Sequence, residues 1–513
     1  MQPIRLIRGF LSVGAWTLAS RIVGFVRDVM IAAYLGTGPI AQAYIVAFTL
    51  PNMFRRFFAE GAFNTAFVPM FAKRLESNDN PRGFAEEAFS GLFTVVLAVS
   101  LIAHLVMPWL VLMQAAGFQG DERFELAVIY GRICFPYILF ISLTALLSGL
   151  LNAGGRFMAA AAAPVLMNLI LIAAMLLADW RGWDMGLAMA WSTPVSGLAQ
   201  LFTVWWAARR MGFPLRLRRP RLSPDMRRLL AIAAPAVLAG VVQVNLLVGR
   251  QVGSFFDGAI AWLTNADRLY QLPLGVVGIA IGIVLLPDIS RRLKAGDTDG
   301  GRHAYNRAAE FALFLTVPAA VALVVAAEPL ISVLFQRGAF LAADVGPTAL
   351  ALAIYGLGLP AFVLQKVLQP LYFAREDTRT PFRFAIWSMI VNAVAALGLA
   401  PFIGFSAAAL GTTIAGWTMA AQLWRGTRAF GEATQLDARF RHRLPRICAA
   451  SVVMGAVIWG LMLVFEEALH TPGTRYLALA ALVFGGIATY GAAAMALGAF
   501  RPSDLRAGFR RQR

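Results

Sequence analysis

The chain has 513 residues; 59% are A, V, I, L, M, F, W, Y or C, only 14% are charged, and the mean hydropathy is +0.68. Soluble domains are about 25% charged, so a soluble fold of this length would lack the charge to cover its surface; the same apolarity excludes disorder, and two cysteines, Cys134 and Cys448, exclude a disulfide scaffold. The formal charge of +18 (45 Lys+Arg against 27 Asp+Glu) would suggest nucleic acid in a soluble protein, but in a membrane protein the distribution of charge matters more than its sum.

A helix needs about 20 apolar residues to cross a bilayer. Fourteen such stretches are predicted, at roughly 9–35, 39–72, 84–113, 124–152, 157–178, 184–208, 228–250, 257–290, 308–335, 344–374, 382–402, 405–424, 446–466 and 476–500. The first is too long and too charged for a signal peptide. At roughly 100° per residue, its Ser20, Arg21, Gly24, Arg27 and Asp28 share an arc of about 120°, opposite Ile22, Val26, Val29 and Met30, which reads as a cavity wall. The second span carries Asn52, Arg55, Arg56, Glu60 and Asn64 on one broad side; Arg56 and Glu60 are spaced to pair at i,i+4. Arg55 lies roughly 140° around from Glu60 and has no partner on its own helix by this spacing. Arg132 falls in the fourth span and Arg250 near the outer end of the seventh.

The eighth span contains Asp267-Arg268-Leu-Tyr-Gln271, with Arg268 and Gln271 at i,i+3, and then Gly275, Gly278 and Gly282, a small-residue face suited to close helix packing. Segment 295–307 is short, polar and basic and reads as an interfacial linker. Glu328 and Asp344 are expected to be solvated near the outer face, and Lys366 to snorkel or pair locally, as is Arg132. Pro51, Pro136, Pro273, Pro287, Pro318 and Pro360 fall within spans, where they kink helices or serve packing alone.

The basic residues sort by side. With a cytoplasmic N-terminus, 33 of them are cytoplasmic, including eight arginines from Arg209 to Arg228, and four (Arg123, Arg181, Arg337, Arg475) lie opposite. The positive-inside rule therefore puts both termini inside, and the tail Arg510-Arg511-Gln512-Arg513 belongs to this bias. Landmarks also recur. Leu50-Pro51 and Val68-Pro69 match Leu272-Pro273 and Leu286-Pro287; Tyr130-Gly131 and Pro136 match Tyr355-Gly356 and Pro360; Asn168 matches Asn392, 224 residues on. The fold class expected is an all-α polytopic membrane protein of about fourteen transmembrane helices: two parallel-related six-helix lobes, 1–224 and 225–444, an appended pair over 445–500, and a basic tail, 501–513. Such repeats usually place a substrate site between lobes near mid-membrane.

Eight basic residues remain inside spans: Arg21, Arg27, Arg55, Arg56, Arg132, Arg250, Arg268 and Lys366. An arginine near a helix centre costs about 2.5–3.5 kcal/mol on insertion scales, so four should face a wet cavity or be paired. Guanidinium binds phosphate through paired donors and never loses its charge, so a cluster of Arg21, Arg27, Arg55 and Arg268 suits a phosphate or pyrophosphate. The bland alternative is that these arginines lock helices together through Asp28, Glu60 and Asp267. The four histidines and two cysteines lack metal-ligand spacing, and no nucleotide, zinc-hydrolase or serine-hydrolase motif occurs, so no cofactor, metal or catalytic residue is expected.

The run Ser20-Arg21-Ile-Val-Gly24-Phe-Val-Arg27-Asp28 resembles the first-helix signature of the MurJ (MviN) family. So does Leu50-Pro51-Asn52-Met-Phe-Arg55-Arg56-Phe-Phe-Ala-Glu60-Gly61-Ala-Phe with Ala66-Phe-Val-Pro69, and later Ala266-Asp267-Arg268-Leu and Phe373-Ala-Arg-Glu-Asp377-Thr378-Arg379-Thr380-Pro381. The resemblance covers essentially the whole chain. It implies a member of the multidrug/oligosaccharidyl-lipid/polysaccharide exporter superfamily that flips lipid II, the undecaprenyl-pyrophosphate-linked peptidoglycan precursor, across the bacterial plasma membrane by alternating access. It also implies that Arg21, Arg27, Arg55 and Arg268 engage the pyrophosphate and head group and that the last two spans form a groove for the lipid tail. Asn52, Asp28, Arg56, Glu60, Gln271 and Arg250 complete the candidate substrate-binding set. The partners implied are lipid II and membrane lipids, with cell-wall synthesis or division proteins as further partners the resemblance allows; no nucleic acid and a monomer are expected. Gln42 and Gln271 are neutral amides where some members carry acids, which weakens any ion-coupling role there. The rivals are a cation-coupled drug antiporter of the superfamily, which would favour carboxylates over arginines, and a non-transporting scaffold for cell-wall enzymes.

Overall fold

The computed structural model describes residues 3–55, 62–239 and 245–500, and among them every regular element is helical. That is the expected answer to an apolar chain in lipid, where each backbone N–H and C=O must find its partner within the segment. The chain divides into two compact units, Met1–Ala261 with Arg337–Phe340, and Trp262–Gln336 with Leu341–Arg513.

The first unit holds α1 (Pro3–Leu35), α2 (Pro39–Arg55), α3 (Ala62–Ser77), α4 (Pro81–Leu105), α5 (Met107–Gln114), α6 (Glu122–Cys134), α7 (Tyr137–Ala153), α8 (Met158–Arg181), α9 (Met185–Arg210), α10 (Pro224–Ala239) and α11 (Asn245–Gly253). Then come α12 (Ala259–Lys294), α13 (Thr298–Val325), α14 (Ala327–Phe335), α15 (Ala342–Phe373), α16 (Arg379–Ile403), α17 (Ser406–Thr427), α18 (Ala438–Val464), α19 (Glu466–His470) and α20 (Arg475–Ala496). Each of the fourteen apolar stretches coincides with one helix or a consecutive pair. Among the described residues, eight helical stretches are long and apolar enough to cross a membrane: 81–105, 122–153, 158–181, 298–325, 342–373, 379–403, 438–464 and 475–496.

Three of the expected single spans whose residues are described throughout are helix pairs. The chain breaks at Val106, where Pro108 follows in the first turn of α5, at Pro136 between α6 and α7, and at Ala326 between α13 and α14. A proline lacks the N–H that would continue the ladder and clashes with the preceding turn, which accounts for the first two breaks. Proline does not always break a helix: α15 runs unbroken through Pro347, Pro360 and Pro370. The expected linker 295–307 is helical from Thr298, because Asp297 caps α13 by accepting from the Gly300 N–H at 2.8 Å. Asp184 and Asp437 start α9 and α18 in the same way.

The core of the first unit is built from wholly buried Leu50, Phe67, Phe71, Met107, Phe118, Phe135 and Ile138. In the second unit α13, α18 and α20 share a cluster around Ile447, Met454, Ile458 and Tyr490, whose hydroxyl donates to the Phe314 carbonyl at 2.6 Å. Leu101, Trp109, Trp180, Phe402 and Phe484 stand exposed. Only 17% of the apolar window of α16 is buried in protein, as a lipid-facing helix requires. Residues 337–340 fold onto the first unit, where the Ala339 N–H donates to the Ala33 carbonyl at 2.7 Å. Gly36 allows this approach: its φ is +62°, and a Cβ there would stand 2.4 Å from the Ala339 carbonyl oxygen.

Candidate functional site

The polar face of α1 forms as its spacing predicts, but it meets protein. Arg27 is buried, and its Nη1 donates to Oδ1 of Asn168 on α8 at 2.7 Å. Its Nη2 and Nε donate to Asp28 Oδ1 at 2.6 and 3.1 Å. The Asn168 amide in turn donates to the Ser20 carbonyl at 3.1 Å, and Gly24 leaves room for it, since a Cβ there would lie 3.2 Å from Asn168 Nδ2. Arg27 is therefore held as the lock between α1 and α8, the bland alternative for this residue. Arg21, two turns earlier, is exposed, and Ile22 and Val26 face outward on the far side.

On α2, Asn52 donates to the Phe48 carbonyl one turn back at 3.0 Å, and Arg55 is half-buried at the helix end. Arg56 and Glu60 lie outside the described residues. Arg250 on α11 donates to Gln114 Oε1 at 3.4 Å, within the first unit. Arg268 belongs to the second unit, half-buried on α12. The Gln271 amide donates to Asp267 Oδ2, one turn back. Tyr270 packs beside Tyr355 and Phe362, with ring centroids 5.7 and 6.1 Å away. The stem of Lys366 lies over Gly278, where a Cβ would meet Cδ at 2.8 Å, and Arg132 donates to the His104 carbonyl at 3.2 Å. Arg132 is thus tied to the last turn of α4, and Lys366 is exposed.

One expectation about the acids near the outer face is overturned. Asp344 is buried, not solvated: it accepts from the Trp262 indole at 3.0 Å and from the Leu341 N–H at 2.9 Å, which caps α15. Arg123, expected as an outer-loop residue, is also buried. Asp121 Oδ2 accepts from its Nε at 2.5 Å, Asp257 Oδ1 lies 3.2 Å from Nη1, Gln42 Oε1 accepts at 3.4 Å, and the guanidinium lies 4.6 Å from the Phe118 ring centre. Burial alone would raise the Asp121 carboxyl, but the Arg123 N–H and guanidinium outweigh it and hold it below the ordinary range. Gln42 is buried here with its amide on the Thr37 carbonyl at 3.2 Å. With two carboxylates already on Arg123, a neutral amide completes the shell.

Sequence reading also missed a matched pair of buried acids. Glu86, one turn into α4, accepts from Arg82 Nε at 3.0 Å and pairs with Arg218 at 2.6 Å. Glu310, 224 residues later on α13, accepts from Arg443 at 2.5 Å and Arg439 at 3.2 Å, and pairs with Arg307. In each unit the chain segment after α9 or α17 is tied to the same place: Arg82 donates to the Pro214 carbonyl at 3.3 Å, and Arg302 to that of Gln435 at 3.2 Å. The shared offset with Asn168 and Asn392 was the available signal. Asn168 lies against Gly24 of α1, whereas Asn392 lies against Gly411 of α17.

This arrangement of helices is shared with known proteins. A solved structure described as lipid II flippase MurJ in an inward closed conformation superposes with a TM-score of 0.78, is 25% identical and covers 94% of this chain and 97% of its own. The family model for lipid II flippase MurJ matches residues 31–476. The chain belongs to this family. A relative from Rhizobium meliloti (strain 1021), named probable lipid II flippase MurJ, is 44% identical over 99% of this chain and 96% of its own length. An inward-facing multidrug resistance MATE family transporter of the MOP superfamily matches with a TM-score of 0.67 over 81% of this chain and 95% of its own, at 16% identity, a likeness of fold alone. The family is one of transporters, not catalysts, and the apolar helices make this member a multi-pass membrane protein.

Proposed function

We propose that the chain carries lipid II from the inner to the outer leaflet of the bacterial inner membrane by alternating access of two lobes, 1–224 and 225–444, with the pair over 445–500 guiding the lipid tail and both termini cytoplasmic. Family membership supports the substrate. The observation that carries the mechanism is that α1 presents one arginine exposed, Arg21, and one locked, Arg27, on a single apolar helix. In this reading Arg21, Arg55 and Arg268 collect the pyrophosphate, since guanidinium pairs with phosphate through two parallel donors. Arg27 with Asp28 and Asn168 fixes the rotation of α1 that aims Arg21. Asn52, Gln271 and Arg250 border the path, and Arg56 pairs with Glu60. No covalent step is needed. An inside-negative potential returns a positive site inward at about 2.3 kcal/mol per charge per 100 mV.

The test is lipid II accessibility on each membrane face in cells depleted of the protein and supplied with variants. Arg21→Ala, Arg55→Ala and Arg268→Ala are each expected to reduce flipping at least tenfold at normal abundance. Normal flipping in all three would refute the arginine roles, while normal flipping without the protein would refute the function itself.

A further inference from the structure

We propose that the strap after α9 is a binding site for the phosphate of an anionic phospholipid, gripped by Arg209 and Arg216 beside Trp205. The sequence here alternates arginine with leucine: Pro214-Leu-Arg-Leu-Arg-Arg-Pro-Arg-Leu222. Such a segment is expected to wander, yet it is pinned. Leu215 is buried, Arg82 holds the Pro214 carbonyl at 3.3 Å, the Arg218 N–H donates to Ser90 Oγ at 2.8 Å, and the Arg218 guanidinium pairs with buried Glu86.

Pinning Leu215 and Arg218 turns Arg216 outward. It then borders a pocket of roughly 550 Å³ with Arg82, Trp205 and Arg209, and no acid is among the residues that line it. Arg82 is committed to Glu86, whereas Arg209 stacks over Trp205 at 5.7 Å and Arg216 has no carboxylate partner among the described residues. Two arginines with unfilled donors facing one pocket call for an anion with several acceptor oxygens, which is what a phosphodiester offers.

The surroundings select a lipid over a soluble anion. Trp206, next to Trp205 on α9, is exposed, with Arg210 over its ring at 4.9 Å, and Leu217 and Leu222 on the strap are 56% and 64% exposed. Tryptophan over arginine at the end of an apolar helix marks the head-group level. Exposed leucines between arginines place side chains into the acyl boundary while the charges stay among phosphates. The pocket holds a head group and leaves the acyl chains in the bilayer. The proposal stands apart from lipid II transport, because no residue given to the transport path takes part in it.

The test uses the purified full-length protein, delipidated in detergent, with phosphatidylglycerol, phosphatidylcholine or glycerol phosphate titrated in and retained ligand counted by native mass spectrometry. Each arginine near a charged surface is worth about fivefold, equivalent to about 1 kcal/mol. Arg209→Gln with Arg216→Gln is therefore expected to weaken phosphatidylglycerol binding roughly 25-fold, and the corresponding double lysine variant no more than threefold. Arg216→Gln alone, on the exposed strap, carries the same test at about fivefold should the double variant not fold. Unchanged binding in the glutamine variants would overturn the site. So would phosphatidylcholine binding as tightly as phosphatidylglycerol, or a lysine pair that loses as much as the glutamine pair. Glycerol phosphate that displaces the lipid at equal concentration would show a soluble-anion site instead and overturn the lipid assignment.

Discussion

Glu86 and Glu310 occupy matching places in the two units, yet neutralising them is expected to cost very different amounts. Glu310 and Arg443 are each only 10% exposed and 2.5 Å apart. Glu310→Gln removes the carboxylate that Arg443, Arg439 and Arg307 share and weakens the neutralisation of the buried Arg443 charge, a loss of up to about 3–5 kcal/mol. Arg307 keeps its second carboxylate, Asp437, so the damage centres on Arg443. Glu86 is fully buried, but Arg82 and Arg218 are 46% and 63% exposed and can turn to water. Exposed pairs are worth about 0–1 kcal/mol each, and replacing a buried carboxylate by an amide removes a desolvation cost. Glu86→Gln is therefore expected to cost about 1 kcal/mol. The assay is the thermal midpoint of the purified protein in one detergent at one scan rate, since unfolding of such a protein is read as a rate-dependent midpoint. Glu310→Gln should lower it at least three times as far as Glu86→Gln. Adding Arg443→Met to Glu310→Gln should restore most of the loss, because the buried charge that Glu310 neutralised is removed with it. Equal shifts in the two single variants, or no recovery in the double, would refute this reasoning.

Asn168→Ala removes one hydrogen bond to a charged group and one to a carbonyl, about 2–4 kcal/mol together; it should lower the thermal midpoint and reduce flipping, and a parent-like midpoint would refute the part of Asn168 in the α1–α8 lock. The Asp437 carboxyl is pushed up by burial but pulled lower still by the Phe440 N–H and the Arg307 guanidinium, so its folded value lies below the unfolded value near 3.9. The stability it contributes is present above about pH 4 and is lost as pH falls through the folded value. Midpoints measured between about pH 5 and 2.5 should fall less steeply in Asp437→Asn than in the parent, and parallel curves would contradict the assignment. Asp344→Asn keeps an acceptor for the Trp262 indole but loses charge at the start of α15, and should shift the midpoint by less than Asp344→Ala, which loses both bonds.

The sequence by itself determined the helical membrane fold, because a run of about 20 apolar residues can satisfy its backbone in lipid only as a helix. It also determined the family, through Ser20–Asp28 and the run from Leu50. Span-internal charges were legible too, since an arginine amid leucines is conspicuous whatever its fate. That fate was decided only by tertiary structure. Helical spacing put Arg27 on the polar face of α1 but could not say whether water or Asn168, 141 residues away, would meet it. Asp344 looked like a solvated charge because it lies at a span end, where sequence cannot tell solvent from a neighbouring segment folded over it; Arg123, Glu86 and Glu310 lie at span ends too, and their burial was equally out of reach. Burial and pairing depend on residues far along the chain, such as Arg218 on Glu86 and Arg443 on Glu310, and such partnerships exist only once the helices have packed.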